Sequence, residues 1–281
     1  MVITGASDGI GAAAARTLAA CGHRVVVVGR TPDKTRAVAR ALGAPFHLVD
    51  YTRLDDVRAL AEELAATYPR IDVLANNAGT IHHRRRLTVD GFERTFQVDH
   101  LAGFLLTHLL LPRLVQSRAT VIQTSSRGAR AFGRLDLADL NMEHGFTPLR
   151  AYGAAKVANI LFTRELHRRF GRAGLAAVAF HPGIVATNFG AEGSAVMRRM
   201  YHLPLLTPLT TAAPDRGADQ LVWLASGTPG VDWLPGRYYE RRRPARSRPA
   251  AHDPALARSL WDECCALLGV DPDPLRATPA P

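Results

Sequence analysis

Tyr152 and Lys156 stand four residues apart at the start of a helix-patterned stretch, Tyr152-Gly153-Ala154-Ala155-Lys156. That spacing puts the phenol and the ammonium on one helical face. A tyrosine of ordinary pKa, about 10, is a poor acid or base at neutral pH, but a neighbouring cation stabilises the phenolate and lowers that pKa. The pair is therefore a candidate proton donor or acceptor. Only Lys34 and Lys156 are lysines, so few residues are available for amine chemistry. Ser125-Ser126 closes an apolar run, and a hydroxyl at such a strand end can polarise a carbonyl oxygen. A serine pair alone is equally a polar entry to a turn.

A second group of residues fits a dinucleotide. Thr4-Gly5-Ala6-Ser7-Asp8-Gly9-Ile10-Gly11 lies between a first strand and a first helix, where glycines let the backbone turn and approach a phosphate. The helix N-terminus then offers free N–H groups and a positive dipole end to a pyrophosphate. Glycine clusters also serve plain turns and caps, so position is what raises this one. Gly29-Arg30-Thr31 follows the second strand. An acidic residue there would bind ribose hydroxyls; the guanidinium of Arg30 suits a 2′-phosphate, which favours NADP over NAD. Asp50, ending the third strand, could accept from an adenine amino group, and Tyr51 beside it is assigned to the same site.

These residues need strand ends and helix starts to position them. Val25–Val28, Phe46–Val49, Ile71–Leu74, Ala119–Gln123 and Leu175–Phe180 read as strands too uniformly apolar for a sheet wetted on one face. Helical pieces lie between or beside them: Ile10–Ala20, Lys34–Leu42, Leu54–Tyr68, Val98–Val115 and Ala151–Phe170. Such alternation predicts an α/β fold, one doubly wound parallel sheet with helices on both faces. Only Met1–Thr4 precede the glycine turn, short of the usual strand of about five or six residues, which suggests a trimmed or misassigned start. After His181 the pattern lapses. Residues 188–211 read as a substrate loop whose Phe, Val, Met, Tyr and Leu residues favour a bulky apolar ligand. Ala213–Ala225 and Pro254–Leu268 read as further helices. One domain spans 1–281.

Composition excludes disorder and a disulfide scaffold: 281 residues, 47% hydrophobic and 21% charged. The net charge of +10 is uneven. Six Arg against one Glu lie between Arg237 and Ala250, so half of the excess sits in one Pro-rich stretch, read as a solvated connector. It carries no nucleic-acid-binding motif, so no nucleic acid partner is expected. Cys21, Cys264 and Cys265 form no C-x-x-C spacing and imply reduced thiols in a cytoplasmic protein. No apolar run is long enough to span a membrane, no signal peptide is read, and no histidine spacing suggests a metal site.

As a set these residues resemble the short-chain dehydrogenases/reductases. The resemblance rests on Thr4–Gly11, Asn76-Asn77-Ala78-Gly79, Ser126, Tyr152-x-x-x-Lys156 and His181-Pro182-Gly183-x-x-x-Thr187, and covers almost the whole chain. Ala151–Gly190 looks most like the retinol dehydrogenase and WW-domain oxidoreductase branch. The resemblance implies a Rossmann-type fold, with Tyr152 as proton donor or acceptor. Lys156 would lower the Tyr152 pKa and bind the nicotinamide ribose, and Ser126 would be the carbonyl-oxygen partner. It further implies that Asn77, Ala78 and Gly79 line the cofactor site and that Pro182, Gly183, Val185 and Thr187 hold the nicotinamide carboxamide. Pairing of Val98–Val115 and Ala151–Phe170 with a second copy, as a homodimer or homotetramer, is likewise implied.

One position departs from the family. Its fourth active-site residue is an Asn in a pattern like V-N-H-L-G, and this chain reads Val98-Asp99-His100-Leu101-Ala102. An ionised Asp cannot donate a hydrogen bond and adds charge beside the proton relay. The expected function is NADPH-dependent hydride transfer to a carbonyl, or the reverse from an alcohol, with a small-molecule substrate. The alternative is an NADP-binding protein with weak or no turnover because of Asp99.

Overall fold

The computed structural model describes residues 1–183 and 214–275. Its centre is an eight-stranded sheet of order β3-β2-β1-β4-β5-β6-β7-β8. The strands are β1 (Val2–Thr4), β2 (Val26–Gly29), β3 (Phe46–Leu48), β4 (Val73–Asn76), β5 (Thr120–Thr124), β6 (Ala176–His181), β7 (Tyr238–Glu240) and β8 (Arg243–Pro244). Seven are parallel, and β8 runs antiparallel to β7 at the edge. The order reverses between β1 and β4, the place where open α/β sheets bind ligands outside their carboxyl ends. Thr4, Gly29, Asn76, Thr124 and His181 all end strands at that edge.

Period-two alternation divides the core. Val26, Val28, Leu74 and Val121 face one layer; Ile3, Val27, Ala75 and Ile122 face the other. The second layer is covered by α1 (Gly9–Ala20), α2 (Pro32–Leu42) and α9 (Pro214–Ser226). On the first lie α3 (Leu54–Thr67), α5 (Ala102–Leu109), α6 (Leu111–Gln116), α8 (Pro148–Phe170) and α10 (Pro254–Leu268). Two short helices, α4 (Arg94–Phe96) and α7 (Arg127–Phe132), lead into the first group and out of β5.

The expectation of uniformly buried strands fails at β3, an edge strand that alternates, with Phe46 and Leu48 exposed. The single helix expected over Val98–Val115 is interrupted. α4 passes through a π turn, Gln97–Leu101, into α5, and α6 opens with Pro112 in its first turn. A proline cannot continue the ladder and favours a new helix start. α8 begins three residues earlier than Ala151, because Thr147 caps it, accepting from Arg150 N–H at 3.2 Å, with Pro148 at the first position. The basic stretch read as a connector contains β7 and β8, joined through Arg241 and Arg242 at φ of 51° and 59°.

The apolar surplus on α5 and α8 is covered within the chain. Trp261 of α10 is buried against Phe104, Phe162 and Phe170, with ring centroids 5.1, 5.8 and 5.9 Å away.

Candidate active site

The glycine loop is packed too closely for side chains at two positions. Gly5 has φ of +63°, and a Cβ on it would stand 2.8 Å from the backbone of Ala78; one on Gly11 would stand 2.4 Å from the Gly5 carbonyl oxygen. Neither position tolerates a side chain. Asp8 caps α1, accepting from Gly9 N–H at 2.8 Å, and its other oxygen accepts from Lys34 Nζ at 2.8 Å. A carboxylate at a helix start opposes anion binding, and the Lys34 ammonium offsets it. Thr4 Oγ1 accepts from the amides of Asn77 and Ala78 at 3.0 and 3.1 Å and donates to Ala75 O, so the turn after β4 is fixed to β1.

These groups and the catalytic candidates line one cavity of about 650 Å³. Gly5, Ser7, Asp8, Gly9, Ile10 and Gly11 are on its wall, as are Arg30, Asp50 and Tyr51. So are Asn77, Ala78 and Gly79, and Ser126, Tyr152, Lys156, Pro182 and Gly183. Val185, Thr187 and the substrate loop 188–211 lie outside the described residues. Two cofactor assignments gain a structural duty. The Asn77 amide donates to Thr4 O at 3.0 Å and accepts from Thr124 Oγ1 at 3.3 Å, tying three strands. Tyr51 is buried, and burial pushes its phenol well above the usual range. Asp50 already accepts from the amide and hydroxyl of Thr52, at 3.0 and 2.9 Å.

Tyr152 and Lys156 share a face of α8, with Lys156 Nζ 5.3 Å from the Tyr152 ring centroid. Ser126 caps α7, its Oγ accepting from Gly128 N–H at 3.0 Å. A Cβ built on Gly128 would stand 2.9 Å from Tyr152 Cε1 and 3.4 Å from Ser126 Oγ, so both side chains lie against this glycine. Ser125 instead donates to Lys156 O at 2.8 Å, fastening α8 to β5. Asp99 lies in the π turn, a local widening common at functional sites. Its Oδ1 accepts from Thr80 N–H at 2.7 Å and its Oδ2 is 3.1 Å from Lys156 Nζ, both side chains buried. Burial pushes the Asp99 carboxyl above its usual range, against the pull of the Lys156 ammonium and the Thr80 amide.

Lys34, His82 and His181 also line this cavity, and the sequence reading gave none of them a role in the site. Lys34 stands in the first turn of α2, which begins at Pro32, two residues earlier than its apolar period suggests. His181 Nδ1 accepts from Arg127 N–H at 3.3 Å, and burial pushes its imidazole down to about 4, so it is neutral at physiological pH.

Comparison with known proteins gives the family. Residues 1–196 match the short chain dehydrogenase family, and the chain belongs to it. Within the family it is similar to DnrU of Streptomyces sp. (strain C5), assigned as a daunorubicin C-13 ketoreductase, at 43% identity over 96% of this chain and 92% of that one. It is also similar to mouse (Mus musculus) retinol dehydrogenase 14, at 36% identity over 96% of this chain and 86% of the relative. Among solved structures, an uncharacterized protein from Mycobacterium paratuberculosis superposes with a TM-score of 0.77 at 34% identity, over 96% and 93% of the two chains. The chain is thus a retinol dehydrogenase-like oxidoreductase with a Rossmann-type NAD(P)-binding fold. Among the described residues no helix is long and apolar enough to cross a membrane.

Proposed function

We propose that the chain is an NADPH-dependent carbonyl reductase that also runs the reverse oxidation of an alcohol. The observation that carries this reading is the placement of Tyr152, Lys156 and Ser126 on the same cavity as the glycine loop and Arg30. The cradle around Gly5 and Gly11 fits a pyrophosphate, and the guanidinium of Arg30 with the ammonium of Lys34 fits a 2′-phosphate. When bound, the nicotinamide cofactor supplies the hydride.

The chain's own residues handle the proton. Ser126 Oγ is occupied as acceptor by Gly128 N–H, which leaves its hydroxyl proton for the substrate oxygen. Tyr152 gives its phenol proton to that oxygen, and Lys156 stabilises the phenolate left behind. Ile81, Val98, Phe132 and Leu149 make part of the wall apolar, which suits a bulky carbonyl compound. One relative is named for a ketoreductase and another for a retinol dehydrogenase, which supports carbonyl and alcohol chemistry. The Asp99–Lys156 contact favours a second reading, cofactor binding with weak turnover because the lysine is engaged.

A carbonyl panel followed by loss of reduced-cofactor absorbance separates the two. Turnover of at least one ketone or aldehyde with NADPH is expected, and absence of turnover across the panel despite NADPH binding would establish the second reading. In the same assay Arg30→Ala should weaken NADPH by about ten-fold to a hundred-fold, the loss of roughly 1.5–3 kcal/mol, and leave NADH nearly unchanged. NADH binding as tightly as NADPH in the unmodified chain would overturn the NADP preference.

A further inference from the structure

Asn159 lies one turn beyond Lys156 and two beyond Tyr152 on the same face of α8, and it is buried, 2% exposed. Its carboxamide ties α8 to the π turn and to the end of β5. Nδ2 donates to Asp99 O in the π turn at 3.0 Å and to Thr124 O, just before Ser125-Ser126, at 3.2 Å. With both amide protons on carbonyls, Oδ1 must accept, so the proton of the 2.9 Å contact with His100 is on Nδ1. His100 Nε2 is then an acceptor and faces the Cys264 thiol of α10 at 3.6 Å. Burial holds this imidazole neutral, down to about 4, and pushes the thiol up, so the run from Cys264 through His100 to Asn159 is uncharged and directional.

We propose that Asn159 is a positioning residue that holds the π turn in the register where the Asp99 carboxylate meets the Lys156 ammonium. A π turn leaves a main-chain carbonyl away from its regular i→i+4 partner. Here the carbonyl of Asp99 is fixed by Asn159, and the side chain of the same residue is thereby aimed at Lys156 Nζ, 3.1 Å away. The tie to Thr124 keeps β5, and with it Ser126, at the same height as α8. Catalytic geometry is sensitive to displacements of this kind on the scale of an ångström. The proposal rests on the reductase reading for its catalytic consequence, but the contact it assigns can be read without turnover.

The test uses the full-length chain with 15N-labelled lysine, which gives two side-chain signals, Lys34 and Lys156. Lys34→Arg assigns them. Asp99→Asn should displace the Lys156 Nζ signal, and Asn159→Leu should displace it in the same direction with Asp99 intact. Adding Asp99→Asn to Asn159→Leu should then move it little further. In turnover with NADPH, Asn159→Leu should lower kcat about ten-fold or more while the NADPH Kd changes less than about three-fold. Asn159→Ala, which leaves room for a water at the two carbonyls, is measured alongside in case the leucine variant does not fold. A Lys156 signal unmoved by either Asn159 variant would overturn the proposal, whatever happens to kcat. A chain that turns over nothing but shows the coupled shifts would refute the reductase reading and leave the positioning role standing.

Discussion

Asp99 places a carboxylate 3.1 Å from the ammonium that serves Tyr152, where the family has an amide. The Thr80 amide donates to the other oxygen of Asp99, and the negative charge of the carboxylate offsets part of the field of Lys156 at the phenol. Removing that charge should make the phenolate easier to form. Asp99→Asn is therefore expected to move the basic-side requirement for alcohol oxidation to lower pH and raise its rate near neutrality. Reduction, which needs the phenol, should lose activity at lower pH on its alkaline side. A shift of one pH unit corresponds to about 1.4 kcal/mol and is readable in kcat against pH for both forms. Unchanged profile and rate would place Asp99 outside the relay. Tyr152, Lys156, Ser126 and the glycine loop were legible because their chemistry is written in residue type and local spacing. Lys34 and Asn159 were not, because their partners are 26 residues away at Asp8 and 60 at Asp99.

At the scale of elements, α10 completes the molecule. Trp261 is buried among Phe104, Phe162 and Phe170, donates from Nε1 to Pro272 O at 3.1 Å, and lies beneath the Arg169 guanidinium. Trp261→Ala should cost about 3–5 kcal/mol, measured by denaturant unfolding, and a loss under 1 kcal/mol would mean that α10 does not cover this face in solution. The helix bounds of Pro254–Leu268 followed from its apolar period and match the structure. Its place against α5 and α8 did not follow from that period. The β7–β8 hairpin was hidden for another reason. Its two-residue loop is Arg241-Arg242 with both φ positive, whereas the local signal for such a loop is Asn or Gly. An arginine-rich stretch therefore read as a connector.

Across the whole molecule the parallel sheet was legible from strand–helix alternation, whereas its strand order and the switch point between β1 and β4 come from the structure, and they bring two distant sets of residues to one edge. The glycine loop and Arg30 come from the first 30 residues, while Ser126, Tyr152 and Lys156 come from the middle of the chain. The net charge of +10 adds a long-range attraction for an anionic dinucleotide, though one screened at physiological salt. On the reductase reading this edge binds reduced cofactor and Tyr152 supplies the proton. Tyr152→Phe removes one oxygen and leaves the ring against Gly128, so binding and chemistry can be separated. The direct measurement is NADPH affinity and carbonyl turnover for the unmodified chain and Tyr152→Phe in parallel. Affinity should stay within about three-fold while kcat falls by 10²-fold or more, the usual contribution of a positioned acid. Substantial turnover by Tyr152→Phe would contradict the account and assign the proton to another group.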